Sequence, residues 1–301
     1  MSNETLKNGA PRHSAAWLSP MPVFFVLLWS TGFIVAKFGL PYAPPLTFLL
    51  LRCVAVLVVL LPIVLIWKAP WPRGSIGHIA VAGLLLQAGY LGGVWCAIKL
   101  GMPAGLTALI VGMQPILTAA CAPLIGETVR PRQWLGLLFG LTGVALVVYA
   151  KITLVGLSGL AIGFSVMALL SITAGTMYQK HFCPRFDLRT GTVIQFASTV
   201  AVLLPVALMF EGLDLTLSSI TWTPRFVGAW MWSVFALSIG AIFLLFQLIR
   251  RSDATQVTSL LYLTPPTTAI MAWLMFGEAF SWLGVAGMVV AVIGVVCVVK
   301  K

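Results

Sequence analysis

Long apolar runs follow one another along this 301-residue chain with only short interruptions, and that succession limits the fold more than any single motif. A helix crossing the roughly 30 Å hydrocarbon core of a bilayer needs about 20 mostly apolar residues at about 1.5 Å rise each, and it must be a helix because its backbone polar groups have to be satisfied within the segment. Hydrophobic residues make up 60% of the chain and charged residues 8%, with a mean hydropathy of +1.05, so lipid must solvate much of the folded surface. Runs bounded by Pro, Gly and charge predict spans at 21–39, 45–67, 76–98, 103–125, 133–150, 156–179, 190–210, 226–249, 254–276 and 281–299. The expected fold class is an all-α membrane protein of ten transmembrane helices around a central cavity. No connection is long enough for a sizeable soluble domain. The polar stretch 1–20, with Lys7 and Arg12, reads as a cytoplasmic tail before a retained first span.

The formal net charge of +11 invites a nucleic-acid reading, but no loop is large enough to fold into a reader of DNA or RNA. The positions of the charges explain the sum. With an intracellular start, the inside loops and tails collect Lys7, Arg12, Lys68, Arg73, Arg130, Arg132, Lys180, Arg185, Arg189, Arg250, Arg251, Lys300 and Lys301. The outside receives Lys37, Lys99, Lys151 and Arg225, and Arg52 is left inside a span. This bias predicts a multi-pass inner-membrane protein with both termini cytoplasmic. Cys53, Cys96, Cys121 and Cys297 lie in apolar runs without CxxC spacing, which argues for packing and against a disulfide framework or a metal site. No cofactor is expected.

Two halves of the chain resemble each other. Thr47 and Val59-Leu60-Leu61-Pro62 match Thr190 and Val202-Leu203-Leu204-Pro205 at a constant offset of 143, and Lys37 falls on Lys180. Lys99 falls on Arg250, Pro115 on Pro266 and Gly126-Glu127 on Gly277-Glu278 at an offset of 151, which places an insertion between Glu211 and Pro224. A repeat of five spans is odd, so the second copy enters the membrane from the opposite side. The expected organisation is a tail at 1–20, a first repeat at 21–150 and a second at 151–301. Inverted repeats offer two conformations of similar energy, one open to each face, which is the physical basis of alternating access.

After the fourth and ninth spans the chain reads Ile125-Gly126-Glu127, Arg130-Pro131-Arg132-Gln133-Trp134-Leu135-Gly136, and then Phe276-Gly277-Glu278, Ser281-Trp282-Leu283-Gly284. This paired pattern, with Trp29-Ser30, Phe33 and Lys37 in the first span, resembles the EamA family of the drug/metabolite transporter superfamily. Within it the chain is most similar to bacterial exporters of amino acids, including aromatic ones. The resemblance implies a cavity lined mainly by spans one, three, four, six, eight and nine, with spans five and ten outside it. It also implies a small-molecule substrate.

The residues suggest the cavity's chemistry. None of the seven acidic residues lies in the middle of a predicted span, so a proton-binding intramembrane carboxylate is missing and facilitated diffusion or exchange is expected. Gln114-Pro115 and Thr264-Pro265-Pro266 fall near mid-membrane. Pro115, Pro265 and Pro266 are expected to kink their helices and to free carbonyls near Val111, Leu261 and Tyr262, either as plain kinks or as acceptors for a substrate ammonium. Helical spacing puts Thr107, Val111, Gln114 and Thr118 on one face of span four, and Thr255, Thr258 and Tyr262 on one face of span nine. Gln87 with Tyr90, Phe243 with Gln247, and Ser171 with Gly175 and Tyr178 are further helical neighbours. A neutral lining of amides, hydroxyls and rings suits an amphiphilic zwitterion.

The candidate substrate-binding set is thus Trp29, Ser30, Phe33, Gln87, Tyr90, Gln114, Tyr178, Gln247 and Tyr262. Glu127 and Glu278 sit at span ends on opposite faces, either as interfacial caps or as symmetry-related gates. Trp67, Trp71, Trp222, Trp230 and Trp282 are expected in the interfacial belts. Arg52 either snorkels or binds a carboxylate, and its repeat partner is Gln195. Gly136 and Gly140 form a GxxxG from which no dimer follows, so a monomer is expected. The competing readings are a multidrug or quaternary-ammonium exporter, disfavoured by the missing carboxylate, and an intramembrane enzyme. The enzyme reading finds no nucleophile or metal cluster around His13, His78 and His181.

Overall fold

The computed structural model describes residues 20–121, 131–155, 157–183, 186–214, 216–241, 244, 263–278 and 281–299. They form helices α1 (Met21–Gly39), α2 (Pro45–Ile66), α3 (Ile76–Lys99), α4 (Ala104–Val111), α5 (Gln114–Cys121), α6 (Pro131–Val155), α7 (Gly159–Phe182) and α8 (Leu188–Phe210). Helix α9 runs from Pro224 to Met231 and continues as a π-helix over Trp232–Gly240, followed by α10 (Thr264–Phe276) and α11 (Trp282–Val299). By length and hydropathy α1, α2, α3, α7 and α8 can each cross a membrane alone, and the described parts of α4 to α6, α10 and α11 form shorter apolar helices.

The helix boundaries follow from local chemistry. Pro45 opens α2, where its missing N–H is harmless, and the Glu211 carboxylate caps that helix from 165 residues away, accepting from the Leu46 and Thr47 N–H groups at 2.8 and 2.7 Å. Ser158, Asp187, Thr223 and Ser281 cap α7, α8, α9 and α11 with their own side chains. Gly277 ends α10 at φ 64°, a left-handed position that suits glycine.

The expected span 103–125 is broken in two. Gly112 and Met113 form a turn between α4 and α5, and Pro115 is the second residue of α5. Pro265 and Pro266 are likewise the second and third residues of α10 as described. Pro115 thus stands in a first helical turn, which needs no N–H partner, and the residues just before Leu263 lie outside the described residues. Gly112 is required at the break: a Cβ there would stand 2.6 Å from the Pro265 ring, so the starts of α5 and α10 meet at this point.

Helix α3 contains its own π segment, Leu84–Gly89, and the offset of 151 maps it onto 235–240 in the π segment of α9. Pro62 and Pro205, related by the offset of 143, lie inside α2 and α8, and these two helices pack against each other. The main core joins α1, α2, α3, α4, α8, α9 and α10 with Ala168 of α7, and next to the 40–44 loop Phe48 meets Trp95 at 4.5 Å and Phe226 at 5.2 Å. Helices α6 and α11 pair backbone to backbone: a Cβ on Gly287 would stand 2.6 Å from the Gly143 carbonyl oxygen, and one on Gly294 would stand 2.6 Å from that of Gly136. The GxxxG at Gly136 and Gly140 thus serves a contact within the chain.

Trp67, Trp71, Trp222 and Trp282 are exposed at helix ends, as belt residues require. Trp230 departs from that expectation. It is half-buried against the main core, and its Nε1 is buried without a partner.

Candidate functional site

Helix α1 packs against α3, α4, α9 and α10, and α7 packs against α3, α4 and α5, so these contacts bring together several of the predicted residues. On α1, Ser30 is fully buried. Its hydroxyl donates to the Val26 carbonyl at 2.7 Å, and its own carbonyl accepts from Thr268 of α10 at 3.4 Å. Phe33 is buried in the main core. Trp29 is half-buried, 5.5 Å from Phe25 and packed in a small cluster with Leu244. The first span therefore spends Ser30 and Phe33 on packing against its neighbours and keeps Trp29 partly accessible.

Gln87 lies half-buried inside the π segment of α3, and Tyr90 follows immediately after it. A π turn leaves wider gaps between carbonyl and N–H partners and recurs at functional sites. Gly89 at its end lets α7 approach closely, since a Cβ there would stand 2.6 Å from Ser171 Oγ. Gln114, at the start of α5, donates from Nε2 to Thr176 of α7 at 3.2 Å, which bridges the broken helix to its neighbour.

Tyr178 is placed elsewhere. Its hydroxyl lies 2.8 Å from His78 Nδ1, with Phe182 stacked on His78, so it belongs to an aromatic cluster at the bundle end that carries the 67–75 loop. Gln247, Tyr262 and Glu127 lie outside the described residues, as do Phe243, Thr255 and Thr258.

At the opposite end, Glu278 forms a latch. Its Oε1 lies 2.7 Å from Lys37 Nζ of α1 and accepts from the Ala104 N–H that opens α4 at 3.1 Å. The Lys37 ammonium also stands 4.5 Å from the Phe276 ring centre. Lys99 Nζ donates to the Leu40 carbonyl at 2.6 Å, and the Thr221 N–H donates to that of Tyr42 at 2.8 Å. One side chain thus joins the ends of α1, α4 and α10, and the surrounding loops are bonded down over them.

Two further polar pairs escaped sequence reasoning. Arg52, buried in α2, donates from Nε to Ser238 Oγ at 2.9 Å, and Ser238 Oγ donates to the Ser233 carbonyl five residues earlier in the π segment of α9. Gln195 Nε2 donates to Gln179 Oε1 at 2.9 Å. An uncharged residue opposite Arg52 at the repeat offset was visible in the sequence; its partner on α9 was not.

The four described carboxylates, Asp187, Glu211, Asp214 and Glu278, all stand in loops or at helix ends. Hydrogen bonds from the Ser218 hydroxyl and N–H hold the exposed Asp214 carboxyl down at about 2. Among the described residues, no group of His, Cys, Asp and Glu is arranged to hold a metal ion. A pocket of about 20 Å³ lined by Leu109, Gly112, Met113, Ile116, Pro265, Ala291 and Val292 is apolar and far too small for a metabolite.

Comparison with known proteins agrees with this architecture. A "Probable amino-acid metabolite efflux pump" of Salmonella typhimurium is 26% identical over 281 residues, covering 91% of this chain and 92% of the relative. The "Uncharacterized inner membrane transporter YedA" of Escherichia coli K12 is 28% identical over 275 residues, covering 89% and 86%. A solved crystal structure with 20% identity superposes with a TM-score of 0.65 over 94% of this chain and 96% of its own, so the helical arrangement is a known fold. The sequence profile of the EamA-like transporter family matches residues 21–149 and 158–300, nearly the whole length, and the chain therefore belongs to that family of membrane transporters.

Proposed function

We propose that the protein exports neutral, especially aromatic, amino acids or closely related metabolites across a bacterial inner membrane. It works by alternating access between the faces of an inverted repeat. The observation that carries the reading is the latch at one end of the described helices. Lys37, Glu278 and the Ala104 N–H tie three cavity-side helices together at one end, while the His78–Tyr178–Phe182 cluster at the other end remains exposed. With both termini cytoplasmic, the latched end faces outward and the conformation is closed to the outside.

Three observations support the repeat: the π segments matched at the offset of 151, the paired prolines in α2 and α8, and the contact between those two helices. Glu127 is then the counterpart of Glu278 and latches the inner face in the alternate state. Gln87 and Tyr90 on α3, Gln114 on α5 and Thr176 on α7 are uncharged amides, a phenol and a hydroxyl, which suit a zwitterion. The name of the Salmonella relative points to the same substrate class.

Proton-coupled exporters commonly use a carboxylate that binds and releases a proton within the membrane, and the described carboxylates are all peripheral. Transport is therefore facilitated diffusion or exchange. Proteoliposomes loaded with phenylalanine and subjected to an imposed pH gradient test this: equal efflux with and without the gradient is expected, and uphill accumulation that collapses with the gradient overturns it.

A further inference from the structure

Arg52 is the charged residue that the transporter's architecture does not use. It is the eighth residue of α2, about 10 Å below the end of that helix near the latch, in a helix of mean hydropathy 3.0. A guanidinium at that depth carries a heavy desolvation penalty unless anionic or several polar partners meet it. Yet among the described residues Arg52 makes one hydrogen bond, from Nε to Ser238 Oγ, and no ion pair. The ionisable groups that feel its charge are Cys53 and Tyr90, and neither is a carboxylate.

The side chain is buried but not completely enclosed. Residue 52 keeps 8% of its surface accessible, and its Nη atoms are absent from the buried polar atoms without partners, which are Ser165 Oγ, Ser219 Oγ, Trp230 Nε1 and Thr264 Oγ1. The Ser238 bond fixes Nε, and among the described residues the two Nη atoms have no partner. Ser238 is itself held by the Ser233 carbonyl within the π segment, so the fork is pre-oriented. That geometry fits a carboxylate gripped by two parallel N–H···O bonds.

The repeat supplies an internal contrast. Gln195, at the position equivalent to Arg52, is neutral, and its amide is already satisfied by Gln179. The fold at this position therefore needs no cation, which leaves the charge on α2 to a ligand.

We infer that Arg52 anchors the carboxylate of the transported molecule, with the Tyr90 ring beside it, and so selects amino acids over amines of the same shape. The assignment rests on the exporter reading above and adds a specificity residue on α2, a helix outside the expected lining. The binding site is accordingly offset toward the latched end of the bundle.

The test compares L-phenylalanine with L-phenylalaninamide, which keeps the ammonium and ring but lacks the carboxylate, in proteoliposomes of wild-type protein, Arg52→Lys and Arg52→Gln. Loss of a bidentate charge-assisted pair predicts that Arg52→Gln raises the ratio of KM for phenylalanine to KM for phenylalaninamide roughly ten- to hundredfold, with Arg52→Lys in between. In wild-type protein the amide should compete with phenylalanine at least about tenfold more weakly than unlabelled phenylalanine does, a measurement that needs no variant to fold. An unchanged ratio in folded Arg52→Gln, or equal competition by the amide in wild-type protein, overturns the anchor while leaving the exporter intact. Equal loss of both substrates in folded Arg52→Gln marks a structural role and also overturns it. Wild-type protein that moves neither compound overturns the exporter reading itself.

Discussion

Replacing Glu278 by Gln should open the latched face, and the structure sets the size of the effect. Lys37 Nζ and Glu278 Oε1 are 2.7 Å apart, with side chains 32% and 12% exposed, so the pair is neither a freely solvated bridge nor a dry one. Exposed pairs contribute roughly 0.2–1 kcal/mol, and breaking a buried one costs about 3–5 kcal/mol. A half-buried pair of this length falls between, at about 1–2 kcal/mol, which changes the ratio of closed to open protein roughly 5- to 30-fold. Gln keeps a carbonyl oxygen for the Ala104 N–H, so the substitution isolates the charge. The assay places a single cysteine at Thr107, which is fully buried one turn below Ala104, in a background without the five native cysteines. A membrane-impermeant thiol reagent is then applied to either face. Labelling from the latched face should accelerate by that factor, and adding Lys37→Met to Glu278→Gln should change it by less than about twofold, because the two residues act as one unit. Labelling within twofold of the parent from both faces, in folded protein, refutes the latch.

Other consequences follow from the packing and the caps. Glu211→Ala removes three hydrogen bonds from the start of α2 and should cost about 2 kcal/mol in a detergent unfolding assay, with Leu46 and Thr47 amides exchanging faster. Gly287→Leu drives a side chain into the Gly143 carbonyl and Val147, and should destabilise the protein by roughly 1–3 kcal/mol or more; Gly163→Ala, on an open helix face, should stabilise it by about 0.4–1 kcal/mol. Asp214 titrates at about 2, below the ordinary carboxylate value, so its contribution to the 214–218 turn is present above about pH 4 and disappears as the pH falls through 2. Carboxyl NMR of labelled Asp214 should show that low midpoint in the native protein, and Asp214→Asn should abolish the acid-sensitive change in proteolysis of the loop.

Hydropathy locates helices well because lipid solvation is a property of each segment by itself. The sequence places α1, α2, α3, α7 and α8 within a few residues of their structural limits, and Gly277 where α10 ends. The break at Gly112 was hidden because the apolar run continues through it, and Pro115, near the start of α5, looked like a proline inside one longer span. The π segments were equally invisible: a one-residue widening of the backbone ring leaves hydropathy unchanged. Pairings depend on tertiary proximity. Lys37 meets Glu278 across 241 residues, Glu211 caps α2 across 165, and Arg52 reaches Ser238 across 186. Glu278 was singled out by the repeat, but its partner needed the fold. Tyr178 shared a helix face with Ser171 and Gly175, yet α7 is long enough to carry it to the bundle end beside His78.

The central claim is amino-acid export without a proton gradient, and counterflow in proteoliposomes tests it most directly. Vesicles preloaded with unlabelled amino acid are presented with each of the twenty in labelled form at equal pH, with cationic drugs as controls. The account predicts transient accumulation of phenylalanine and other neutral amino acids, and none of the drugs. Accumulation of the drugs alone, or of no amino acid by folded protein, would contradict it.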